Sequence, residues 1–344
     1  MKRRLSLEDA TDLAERAARA AGLGGEAARS LARATVSAEA LGKSGIGFAH
    51  LVDYLASLKE GRIDGGADPV VTSPAPALIH CDARGGIAQV GFDRAFDDLR
   101  RRAETFGLAL FAGKGGYTTG ELGYYPRRLA EAGLVALAAT SGPALITVAG
   151  AKRPVYCTNP LAFAAPLDRG PPLLIDQASS ATAYVELRRY ADRGEALPEG
   201  WAVDADGKPT TDPQQALRGA LLAFGGARGA NIALMVEVLA AGLAGANWAL
   251  DAPSFTSGDR SPGAGLFVVA IAPALLAPDF PKRLREQLDR LASYGVHIPG
   301  RRAAADEIEL PDALFAEIER AGAASGQMAG EPPRAAREGK WRSE

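Results

Sequence analysis

Apolar residues recur at helical spacing from the start of the chain, with Leu7, Ala10, Leu13 and Ala17 three or four positions apart. Ser6 before them, with Glu8 and Asp9 following, predicts a capped helix start, and Gly22 and Gly24 predict its end. The same spacing predicts a second helix over 26–41 and a third from Phe48 through Leu51, Tyr54, Leu55 and Leu58 to Gly61. Further on the pattern changes. Short apolar runs of strand length at 77–81, 108–112, 134–140, 161–165, 173–176 and 266–271 alternate with helices predicted over 125–131, 182–193, 231–243 and 282–293. This order predicts an α/β fold with a helical N-terminal region. Residues 1–70 are expected to form that region and to pack with the C-terminal part, and 71–310 to form an α/β region. Residues 321–344, rich in Gly, Ala, Pro, Arg and Glu without apolar period, read as a disordered tail anchored only by Trp341.

Composition narrows the classes. With 47% apolar and 23% charged residues, the chain can bury a sizeable core. A net charge of −2, with both signs mixed throughout, gives no basic patch for nucleic acid. No apolar run approaches the roughly 18 residues needed to span a bilayer. The opening Lys and Arg residues are followed by a polar amphipathic stretch instead of a signal core, so no membrane association and a cytoplasmic location are expected. Cys81 and Cys157 sit in apolar runs without metal-like spacing and read as buried reduced thiols. His50, His80 and His297 show no metal-like spacing either, so no metal is expected.

The chain has no GxGxxG between strand and helix, no Walker A run, no HExxH and no GxSxG. Its glycine-rich turns carry more information. Residues 113–120, ending at Gly120, follow a strand and precede a helix, where bare backbone can approach a ligand or simply form a surface loop. Residues 225–229 open an apolar helix, and Arg228 there suits a phosphate or carboxylate, or is a solvated charge beside a capped helix. Asp176 ends an apolar strand, as a ligand-facing carboxylate or as an N-cap.

Together these segments resemble the type-2 malate/L-lactate dehydrogenase family. The run TNPLAFAAP at 158–166 is similar to the family's GTNPIAFAAP, and LLIDQASS at 173–180 to LVLDMATS. The match continues through 193–213, and GGARG at 225–229 with ALMVE at 233–237 resembles GGHKG followed by ALMVE. The resemblance implies a distinctive non-Rossmann nucleotide fold, a homodimer and NADPH or NADH as cofactor. It implies a small carboxylate substrate, and a nucleotide near Thr158, Asn159, Asp176, Ser179, Arg228 and Gly120. The substrate would lie near the third helix. The dimer is expected to bury apolar surface of the N-terminal helices.

The departures fall on the acid/base side. The family's Ser-His-Gly is Gly45, Ile46 and Gly47 here, and the arginine three residues later is His50. A second family histidine is Thr118, a helix lysine is Glu186, and the lysine before Gly229 is Arg228. Reducing a 2-oxo acid needs a proton donor for the forming alkoxide. Reducing a protonated cyclic imine neutralises a cation, which a nearby carboxylate stabilises beforehand. With histidines lost and Glu186 and Glu121 present, the preferred reading is reduction of pyrroline- or piperideine-2-carboxylate. In it Asp176, Glu186, Thr118 and His50 are catalytic candidates. The run 150–154 also resembles that branch. The alternatives are a 2-hydroxy-acid dehydrogenase that finds its donor in His50, Tyr117 or water, and an inactive nucleotide-binding paralogue.

Overall fold

In the computed structural model, which describes residues 2–148, 151, 153–300 and 303–323, the chain opens with a strand that the hydrophobic pattern does not announce. The order is β1 (Lys2–Ser6), α1 (Leu7–Ala20), α2 (Gly25–Ala40), a 3-10 turn (Ser44–Ile46), α3 (Phe48–Lys59), β2 (Val70–Ala75), β3 (Leu78–Asp82) and α4 (Ala88–Phe106). It continues with β4 (Leu108–Gly116), α5 (Tyr124–Glu131), β5 (Val135–Thr140), β6 (Ile146–Thr147), β7 (Leu161–Ala165), β8 (Leu173–Gln177) and α6 (Tyr184–Arg193). Then come β9 (Ala202–Val203), β10 (Pro209–Thr210), α7 (Pro213–Arg218), β11 (Ala220–Leu222) and α8 (Ala227–Glu237), which runs on as a π-helical segment (Val238–Leu243). The last elements are β12 (Ala264–Ile271), α9 (Phe280–Ser293), β13 (Glu307–Pro311) and α10 (Asp312–Ala323).

Ser6 caps α1 as expected, accepting from the Asp9 amide at 3.0 Å. This helix buries Ala10, Leu13, Ala14 and Ala17 against α2, α3 and α10, in a layer that also holds Leu31, Phe48, Leu51 and Ile318. Strand β1 pairs antiparallel with β13, which joins the two chain ends. Helix α10 extends to Ala323, past the predicted start of the tail, because Phe315 and Ile318 are buried in this layer. Residues 324–344, with Trp341, lie outside the described residues, as do Gly150 and Lys152.

Seven strands form the main sheet, in the order β2-β3-β4-β12-β5-β7-β8. Only β3 and β4 run parallel in it, and β12, a late strand, lies between β4 and β5 antiparallel to both. This is not the parallel doubly wound sheet of a Rossmann fold, as the resemblance implies. Helix α4 covers one face with Phe92, Ala95, Leu99 and Ala103. Its apolar spacing is helical, but interleaved Asp and Arg residues hide it from a strand-by-strand reading.

On the other face Val236 and Ala240 of the α8/π segment meet Ala139 and Phe267. A Cβ at Gly265 would sit 1.7 Å from the Ala240 carbonyl oxygen, so the close approach of the π-helical turn to β12 requires glycine there. A smaller sheet, β10-β9-β11-β6, carries α6, α7 and α8 around Leu187, Leu197, Ala216 and Leu221.

Candidate active site

A cavity of about 720 Å³ is walled by the 3-10 turn, α3, the loop after β4, the Thr140–Leu145 and Arg153–Pro160 segments, α6, and the loop from Ala249 to Thr256. Its size falls within the roughly 300–1,000 Å³ usual for small-molecule sites. Of the residues singled out in the sequence, His50, Thr118, Gly120 and Thr158 line it. Gly120 has φ of 65°, and its bare backbone lies against Gln89 and Tyr54.

His50 is the centre of a directional hydrogen-bond chain. Its Nδ1 lies 2.9 Å from Asp53 Oδ2 and its Nε2 lies 3.3 Å from Thr118 Oγ1. Thr118 Oγ1 is 2.6 Å from the Tyr54 hydroxyl, which accepts from Gln89 Nε2 at 3.1 Å. An ionised carboxylate only accepts and an amide nitrogen only donates, which fixes the direction at both ends. Nδ1–H donates to Asp53, Tyr54 O–H donates to Thr118, and Thr118 O–H donates to Nε2. When the ring is cationic, Nε2–H donates to Thr118 instead, and Tyr54 turns to the Thr118 carbonyl oxygen 3.3 Å away. Burial pushes the Tyr54 hydroxyl up to about 12, so it stays a donor. Burial also pushes the Asp53 carboxyl upward, but the hydrogen bond from His50 and the charges of His50, Arg188 and Arg62 outweigh it and hold Asp53 below its ordinary value. Ile46, where the resemblance places a histidine, lines the cavity as hydrocarbon. Tyr117 also lines it, but its hydroxyl donates to the Phe255 carbonyl at 3.0 Å and accepts from Ser57 at 2.7 Å, so its proton is already engaged.

Thr158 faces the cavity while Asn159 and Ser179 lie beneath it, both buried. Asn159 has φ of 36°, a left-handed conformation that asparagine tolerates. Its Nδ2 donates to the Ala233 carbonyl and to Glu237 Oε2, both at 2.8 Å, and Ser179 Oγ donates to the Asn159 carbonyl at 2.7 Å. Glu237 Oε1 accepts from the Ala249 amide at 2.7 Å. One buried carboxylate therefore fixes two cavity walls, the turn bearing Thr158 and the loop bearing Ala249.

Four expected residues stand elsewhere. Asp176 lines a separate cavity of about 300 Å³, where Lys43 Nζ at 2.6 Å and the Gly123 amide at 3.2 Å hold its carboxylate. Glu121, also expected near the substrate, is buried and takes Lys43 Nζ at 2.6 Å. Glu186 points away and ion-pairs with Arg189 at 2.6 Å, because helical spacing turns Tyr184, Val185 and Arg188 to the cavity instead. Arg228 is exposed in the first turn of α8 and lines neither cavity. The expected convergence of Thr158, Asn159, Asp176 and Arg228 on one cleft is therefore not met; only the first two share a wall.

Lys43, Asp53, Arg188 and Glu237 have structural or electrostatic roles that sequence reading missed. Asp53, three residues after His50 on one helix face, was detectable by spacing. Burial alone pushes the Lys43 ammonium down, but Asp176 and Glu121 raise it above its ordinary value, so it stays charged.

The profile of the malate/L-lactate dehydrogenase family matches residues 5–322, and the chain belongs to that family. It is 36% identical to the (2R)-3-sulfolactate dehydrogenase (NADP(+)) of Chromohalobacter salexigens, over 92% of this chain and 98% of that one. It is 33% identical to the Delta(1)-pyrroline-2-carboxylate/Delta(1)-piperideine-2-carboxylate reductase of Pseudomonas aeruginosa, again over 92% and 98%. The solved delta1-piperideine-2-carboxylate reductase of Pseudomonas syringae pvar. tomato superimposes with a TM-score of 0.88 at 34% identity, covering 93% of this chain and 99% of that one.

Proposed function

We propose that this chain is an NADPH- or NADH-dependent oxidoreductase that reduces a cyclic imino acid of the pyrroline- or piperideine-2-carboxylate type. The observation that carries this reading is the His50–Asp53 pair in the cavity. The sequence assigned the cation-stabilising carboxylate to Glu186 or Glu121; in this reading Asp53, hydrogen-bonded to His50 at the cavity wall, takes that role. The named reductases among its relatives support the same chemistry.

The cavity has small-molecule size, and toward a nicotinamide nucleotide it offers Thr158 on the wall fixed by Asn159 and Glu237, with the Arg153 cation on the same segment for its phosphates. A bound nicotinamide nucleotide supplies the hydride. His50, oriented by Asp53 and Thr118, holds a proton at Nε2 for the imine nitrogen, and Asp53 favours the cationic substrate by Coulomb attraction. Hydride on the C=N carbon then neutralises the iminium, and the nitrogen keeps the electron pair of the broken π bond. Thr118 and Tyr54 hold the ring in register.

The same His50 could serve an alkoxide, and the sulfolactate dehydrogenase relative favours a 2-hydroxy-acid dehydrogenase as the second reading. Following NADPH and NADH oxidation with both cyclic imino acids, pyruvate, oxaloacetate and sulfopyruvate separates the two. Efficient turnover of the 2-oxo acids with neither imine would overturn the first reading.

A homodimer forms part of the proposal. The sequence placed its interface on the N-terminal helices, but none of the exposed large apolar side chains among the described residues lies on α1–α3. Leu234, Met235, Val238, Leu243, Trp248 and Leu250 are exposed around the α8/π segment, and Leu250 also lines the cavity. A second copy covering this face would also close the site. The buried free thiols of Cys81 and Cys157 suit a reducing compartment, so we place the enzyme in the cytoplasm. No helix among the described residues is long and apolar enough to cross a membrane.

A further inference from the structure

The cavity contains a cation that forms no ion pair among the described residues. Arg153 and Arg188 are the guanidinium groups among its described lining residues. Arg62, close below, is already engaged with Ser57, Glu60 and the Gly258 carbonyl. On α6 itself Arg189 pairs with Glu186, and Arg193 with Glu195. Arg188 has no hydrogen bond or ion pair among the described residues, although its field reaches Asp53 and lowers that carboxyl.

Position adds a second argument. Tyr184, Val185 and Arg188 share one face of α6, as their spacing requires, and all three line the cavity. A Cβ built on Gly45 would meet Val185 Cγ1 at 2.9 Å, so this face of α6 lies directly across from the 3-10 turn that leads into α3. Arg188 therefore stands at the His50 end of the cavity. Arg153 enters on the segment that leads to Thr158.

We infer that Arg188 binds the carboxylate of the substrate and orients its C=N carbon and nitrogen toward His50. A planar guanidinium presents parallel N–H groups that match a carboxylate, and a bidentate pair fixes direction as well as affinity. Asp53 repels that carboxylate from the His50 side, so the two charges set a polarity, with the anionic end of the substrate on Arg188 and the cationic end beside Asp53. The inference rests on the imino-acid reading and adds the group that distinguishes an imino acid from an imine lacking a carboxylate.

The test compares Arg188→Gln and Arg188→Lys with the wild type on Δ1-piperideine-2-carboxylate, on Δ1-piperideine, and for inhibition by pyrrole-2-carboxylate. In Arg188→Gln the KM for the imino acid and the Ki of the inhibitor should each rise about 10- to 100-fold, the usual range for losing a charged hydrogen-bonded partner. The rise should be smaller in Arg188→Lys, with the KM values for Δ1-piperideine and NADPH within about twofold. Equal losses on both imines, or a rise confined to NADPH, would overturn the assignment.

Calorimetric titration of pyruvate and pyrrole-2-carboxylate into the NADP+-loaded enzyme separates the two claims if the wild type reduces neither imine. Carboxylate binding lost in Arg188→Gln would sustain the role of Arg188 while the imino-acid reading fails. Unchanged binding would refute the role of Arg188.

Discussion

Replacing Lys43 with methionine leaves two carboxylates facing each other without their ammonium. Lys43 Nζ lies 2.6 Å from both Glu121 and Asp176, whose side chains are 0% and 13% exposed. Removing one partner of a buried ion pair costs about 3–5 kcal/mol. Lys43 itself keeps 31% exposure, which sets the expectation at the low end, about 3 kcal/mol. At about 2 °C per kcal/mol for a large chain, the Tm should fall by roughly 6 °C.

The pH dependence gives the sharper test. In the wild type the raised Lys43 ammonium contributes fully below its ordinary value of 10.5, and this is lost only as pH climbs through the higher folded value. The wild type therefore shows no change from this group between pH 4 and 9. In the variant the unpaired carboxylates are raised, so the folded state takes up protons as pH falls, and the deficit should narrow below about pH 5. Calorimetry from pH 4 to 9 reads this directly, and Glu121→Gln added to Lys43→Met should recover a large part of the lost Tm. A deficit that stays flat with pH, or one below about 1 kcal/mol, would refute the reasoning.

Asp53→Asn should lower kcat for the preferred substrate about 100-fold or more, by releasing the His50 tautomer, with the KM for NADPH unchanged; a loss under threefold would remove the pair from the chemistry. Because the wild-type Asp53 carboxyl lies below its ordinary 3.8, its contribution to stability holds above that pH and is lost as pH falls through the lower folded value, as acid titration of Asp53→Asn against wild type will show. Glu186→Gln should leave kcat/KM unchanged and stability within about 0.5 kcal/mol, since it breaks only a part-exposed pair with Arg189; a tenfold kinetic loss would return Glu186 to the site. Met235→Glu with Val238→Glu should shift sedimentation at micromolar concentration from dimer to monomer, and a wild type that is already monomeric would remove the dimer.

The sequence by itself determined the α/β class, the helical N-terminal region and the family, because period and linked motifs are local properties of the chain. It also identified His50, Thr118, Gly120 and Thr158, which line one cavity. It did not reveal β1, β13 and α10, whose partners lie at the opposite chain end. Which carboxylate meets the site was decided only by the tertiary structure. Asp53, Glu121, Asp176 and Glu186 are equivalent as letters, yet Lys43 draws two of them into a buried cluster, Arg189 holds one outside, and His50 keeps the remaining one in the cavity. Helix phase and the position of a single ammonium settle that choice, and both depend on contacts between residues as far apart in the chain as Lys43 and Asp176.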